Sequence, residues 1–138
     1  HRILDFLPVE ERTIVISETL HAIIAHRSGG TPYTIEAGIV RVADAMDMSQ
    51  GRSRIPYEAG KMDIHSVSAA AIDKVDILEG TEKPIQIDIW MNNNAGIFQV
   101  DELLRRKLVG SGIEKYVVVS AYLVEGEEKR LFKEFQTS

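Results

Sequence analysis

The chain has 138 residues, no cysteine, and 16 Lys and Arg against 21 Asp and Glu, giving a formal net charge of -5. That length suits one domain with a real core, while the acid excess argues against a broad nucleic-acid footprint and against adhesion to anionic membranes. Without cysteine, disulfides, thiolate metal sites and cysteine nucleophiles are excluded, no apolar run approaches bilayer-spanning length, and the expected location is the cytoplasm.

The chain opens on His1 and enters apolar sequence at once with Ile3, Leu4, Phe6 and Leu7, so further residues are expected upstream. Ile16, Leu20, Ile23 and Ile24 recur at helical spacing and predict an amphipathic helix from about Val9 to His26, stopped before Ser28-Gly29-Gly30. A second helix is predicted from about Pro32 or Thr34. Either threonine, Thr31 or Thr34, can cap it, Ile35, Ile39, Val42 and Met46 form its apolar stripe, and Gly51 ends it. A loop then carries Arg52-Ser53-Arg54 through Pro56, and the alanine run within 63–71 suggests a short helix. Composition shifts near Gly60, which divides a helical region, 1–60, from an α+β region, 61–138.

Beyond that point the period becomes two. Ile72 to Glu79 reads as a strand, Gly80-Thr81-Glu82 as a turn, and Ile85, Ile87, Ile89 and Met91 alternate with polar residues as a half-buried strand. A helix that Asn94 can cap follows, with Ile97, Val100, Leu104 and Leu108 on one side and Asp101–Arg105 and Glu102–Arg106 as i,i+4 pairs. Gly110-Ser111-Gly112 closes it, Tyr116 to Val124 reads as a central strand, and an edge strand is expected around Leu131 to Phe135. The expected fold class is α+β: a helical portion followed by a ββαββ subdomain with an antiparallel sheet.

Asp44 stands in the apolar run Val40-Arg41-Val42-Ala43-Asp44-Ala45-Met46, with His26 at the end of the preceding helix. A carboxylate at the edge of a buried stripe must be paired, hydrogen-bonded or metal-bound. An imidazole and a carboxylate on neighbouring helices suit a divalent ion, whether Mn, Mg, Fe, Ni or Zn. The plainer reading pairs Asp44 with Arg41, Arg52 or Arg54 and leaves His26 as an ordinary C-terminal helix residue. His21 lies about 140° around the helix from His26 and is not expected to share an ion with it. Arg52 and Arg54 can aim guanidinium groups at a phosphate, or can simply be a solvated turn. Asn92-Asn93-Asn94-Ala95-Gly96 reads as a turn and cap more readily than as an anion cradle, and Trp90 with Tyr116 and Tyr122 as core or interface more readily than as a base-stacking platform.

The runs 21–26 (HAIIAH) and 34–47 (TIEAGIVRVADAMD), with Gly51-Arg52, resemble the later part of an HD-domain metal-dependent phosphohydrolase, and the stretch from Lys61 to Phe135 is similar to the C-terminal extension of archaeal members. The resemblance implies that Asp44 corresponds to the last metal-binding aspartate and His26 to a second-metal histidine. Arg52 or Arg54 would then face phosphate oxygens of a small phosphorylated substrate, a nucleotide by family analogy. The family's defining His-Asp dipeptide is missing: none of His1, His21, His26 or His65 is followed by aspartate. It is therefore expected upstream of residue 1, or else the chain is catalytically inactive. The alternative to an enzyme is a non-catalytic ligand-binding or oligomerisation module, and a homodimer is compatible with either.

Overall fold

The computed structural model describes residues 2–27, 29–48, 68, 70–126 and 128–136. Two helices open the chain, α1 (Val9–Ala25) and α2 (Ile35–Met46). Glu10 and Glu11 in the first turn of α1 complement its dipole. Thr34, in extended backbone, caps α2 by accepting a hydrogen bond from the Ala37 N–H at 3.3 Å, which decides between the two threonines. The predicted 63–71 helix and the Gly51 stop fall largely outside the described residues.

The two helices pack through only part of their predicted stripes: on the second, Val42 is buried and Met46 packs against the same core. On α1 the buried residues are Ala22 and Ala25, while Leu20, Ile23 and Ile24 are exposed. On α2 the buried residues are Ala37, Gly38, Arg41, Val42 and Ala45, and Ile35 and Ile39 are open to solvent. The buried face of α2 is thus turned by about 100° from the apolar stripe. Small residues explain the choice, because they let helix backbones approach closely. A Cβ built on Gly38 would stand 1.9 Å from the Ser111 carbonyl oxygen, so only glycine admits that contact.

Four strands follow, β1 (Ile72–Glu79), β2 (Ile85–Met91), β3 (Val117–Glu125) and β4 (Glu128–Gln136), in the order β1-β2-β3-β4. The ββαββ order and the α+β class agree with the sequence. The sheet, however, is mixed: the two hairpins are antiparallel as expected, but β2 and β3 run parallel, with Ile87 opposite Val119 and Ile89 opposite Ala121. The cause is the helix between them, since a helical crossover returns the chain to the starting end of the sheet. The β1–β2 hairpin and the β3–β4 hairpin are therefore two units joined through this crossover.

That crossover, α3 (96–108), is α-helical at Gly96–Gln99, π-helical at Val100–Arg105 and α-helical again at Arg106–Leu108. Its start is organised by Asn93, whose Oδ1 accepts the Ala95 N–H at 2.9 Å, in place of the predicted Asn94 cap. Val100, Leu104 and Leu108, spaced four apart, are all buried. Both predicted i,i+4 pairs form, Arg106–Glu102 at 2.6 Å and Arg105–Asp101 at 3.8 Å. The residues of α3 pack on Ile87, Ile89, Met91, Val117, Val119, Ala121 and Leu123, and Val42, Ala45 and Met48 join the same core. One core thus ties α2 to the sheet. Among the described residues, no helix is long and apolar enough to cross a membrane.

Candidate functional site

Where α1 ends, α2 passes and α3 ends, a buried charge holds the three together. Arg41, only 7% exposed, donates from Nη1 to the carbonyl oxygens of Ala25 and Arg27, each at 3.3 Å, and of Gly30, and from Nε to that of Lys107 at 3.2 Å. Two of its acceptors belong to the C-terminal ends of α1 and α3, where unpaired carbonyls concentrate negative partial charge. A guanidinium, planar and always charged, can serve several such oxygens at once. Arg41 is therefore a backbone strut and not the partner of Asp44 that the sequence allowed.

Asp44 lies on the next turn of α2. Its Oδ2 accepts the Lys107 ammonium from the last turn of α3; the Lys107 side chain is 12% exposed and that of Asp44 50%. The carboxylate thus has a solvent-facing side and a side held by an ammonium. His26 follows the last residue of α1, and its Nδ1 lies 2.6 Å from the Ile23 carbonyl oxygen. Among the described residues no hydrogen bond or ion pair joins His26 to Asp44. His21 turns to the following loop, where its Nε2 accepts the Tyr33 N–H at 3.1 Å and its ring meets Tyr33 edge-on. Arg52, Arg54, His1 and His65 lie outside the described residues.

These side chains do not by themselves fit a divalent ion. Asp44 offers one carboxylate already neutralised by Lys107, the His26 ring nitrogen is directed at its own helix, and among the described residues no three His, Asp or Glu side chains converge as a metal site would require. Neither Asp44 nor His26 lines the cavity of about 510 Å³ between α3 and β4, whose lining includes Leu104, Leu108, Phe135, Arg105 and Lys133.

The aromatic residues singled out in the sequence separate. Trp90 and Tyr122 stack at 4.6 Å on the sheet face away from α3, whereas Tyr116 sits under Lys115. Lys129 stands 4.6 Å over the Trp90 ring, and the indole N–H donates to Asp76 at 2.8 Å. The ammonium of Lys74, 2.8 Å from Asp76, together with that indole donor, holds the Asp76 carboxyl below the usual aspartate range. Glu114 is lowered as well: burial pushes it up, but the backbone N–H groups of Glu114 and Gly112 and the Ser111 hydroxyl outweigh it.

The strut role of Arg41 and the part played by Lys107 escaped the sequence reading. For Arg41 a signal existed, because it shares a helix face with Ala37, Gly38 and Ala45. Lys107 meets Asp44 only through the tertiary fold, and no local pattern points to it.

No known protein-family profile matches the chain, and no solved structure does. The chain is similar to an uncharacterized protein, MJ1020, of the archaeon Methanocaldococcus jannaschii, with 52% identity over 118 residues. The match takes in 86% of this chain and 45% of that protein, so the chain spans less than half the length of its relative.

Proposed function

We propose that this chain contributes the later part of the catalytic core of an HD-type, metal-dependent phosphohydrolase acting on a phosphate ester of the nucleotide class. The observation that carries the reading is the outward apolar stripe of the helix pair. Leu20, Ile23 and Ile24 on α1 and Ile35 and Ile39 on α2 are all exposed, although each helix is patterned to bury them. A further helical layer packed there would cover them, and the much longer archaeal relative leaves room for one. In this reading Asp44 is the acidic ligand this chain supplies, the remaining donors belong to the covering helices, and Arg52 and Arg54 serve the phosphate.

The test uses the full-length protein: Mn or Mg is expected to support phosphate release from nucleotides or a chromogenic phosphodiester, and Asp44→Ala to abolish turnover with the fold retained. Wild-type turnover in Asp44→Ala would sink the proposal. A second reading, an assembly module in which another copy covers the same stripes, rests on the same exposed residues. It predicts a stable dimer and no metal-dependent turnover.

A further inference from the structure

The cavity of about 510 Å³ between α3 and β4 borders the π-helical stretch of α3, which supplies Val100, Leu104 and Arg105 to its lining. A π turn inside an α-helix is rare and is found frequently at functional sites. The lining is also graded in polarity. Leu104, Leu108 and Val119 are buried, whereas Val109, Arg105 and Lys133 are exposed, the last two side chains at 60% and 43%. Alternation along β4 decides which of its residues belong here: Lys133 and Phe135 stand opposite Ala121 and Val119 on the side that packs on α3, and Glu134 stands opposite Ser120 on the other side.

The two cations of this lining share one carboxylate. Asp101 stands 3.8 Å from Nη1 of Arg105 and 3.4 Å from Nζ of Lys133, both longer than the roughly 2.8 Å of a close charge-assisted contact. Glu114 also lines the cavity, but its carboxylate is engaged by the Ser111 hydroxyl and by backbone N–H groups of the loop that follows α3. Positive charge is thus loosely matched beside apolar side chains, and a void next to such side chains forfeits their dispersion contacts. We propose that the cavity binds a small amphipathic carboxylic acid, its alkyl chain against Leu104, Leu108 and Phe135 and its carboxylate on Arg105 and Lys133. The volume lies within the usual range of ligand pockets, and a guanidinium with an ammonium suits the two oxygens of a carboxylate. The inference does not rest on the phosphohydrolase reading.

The probe is decanoate, titrated calorimetrically into the full-length protein below the concentration at which it forms micelles, with decan-1-ol and decylammonium as matched chains of other charge. Saturable one-to-one binding and a rise in Tm are expected for decanoate, with decan-1-ol roughly tenfold weaker and decylammonium weaker still. Arg105→Gln, at an exposed side chain, should keep the ligand-free Tm, weaken decanoate roughly tenfold and leave decan-1-ol unchanged, the mark of a lost charge contact. Val109→Trp, also at an exposed position of the lining, should obstruct both ligands. Ile24→Ser, on the outward stripe of α1, should change neither. Absence of saturable binding, decan-1-ol or decylammonium binding as tightly as decanoate, or an Arg105→Gln affinity equal to wild type would overturn the proposal. So would decanoate binding that Ile24→Ser weakens and Val109→Trp does not, since the ligand would then sit on the helix pair.

Discussion

Arg41 and Lys107 place two cations side by side at the junction of α1, α2 and α3, and they do different work. Arg41 satisfies backbone carbonyls, so its removal leaves buried acceptors unpaired; Arg41→Met should destabilise the fold by about 3 kcal/mol in chemical denaturation. Asp44 is half-exposed, and its pair with Lys107 is correspondingly screened, so Asp44→Asn should cost only about 1 kcal/mol. Adding Lys107→Met removes the stranded ammonium and should recover part of that loss. On the sheet, Trp90 is the one tryptophan of the chain and reports on Asp76. Since the Asp76 carboxyl is depressed, its share of stability is present above the ordinary aspartate range and is lost as pH falls through the lowered value. Trp90 fluorescence should therefore shift at a pH below the usual aspartate range, and Asp76→Asn should abolish the transition.

Element boundaries were legible where local chemistry sets them. Thr34 capped its helix, Gly110 and Gly112 supplied positive φ values of 73° and 81° to close α3, and period-two alternation marked β2. The buried face of α2 was not legible from apolar residues. Close approach through Gly38 and the alanines decided it, and that choice depends on neighbours distant in sequence. Gly38→Ala tests the point directly. A methyl group placed against the Ser111 carbonyl must push α2 off the loop after α3, with an expected loss of about 1–3 kcal/mol in thermal unfolding. The parallel β2–β3 pair was equally hidden, because a ββαββ order alone leaves open which end of the sheet the crossover reaches.

At the scale of the molecule, α2 and the sheet share one core while the large apolar side chains of α1 and α2 face outward. That contrast explains how little of the candidate site could be read. The sequence marked Asp44 through its apolar surroundings, but its partner Lys107 comes from a helix distant in sequence, and the donors that would complete a metal centre belong to the layer proposed to cover the stripe. The most direct test of that account is nucleotide hydrolysis by the full-length protein with Mn, comparing wild type with Asp44→Asn/Lys107→Met. The account predicts metal-dependent phosphate release in the wild type and none in the double variant, whose thermal stability stays close to that of the wild type. Equal rates in the two proteins, or no metal-dependent release from any nucleotide or phosphodiester, would contradict it.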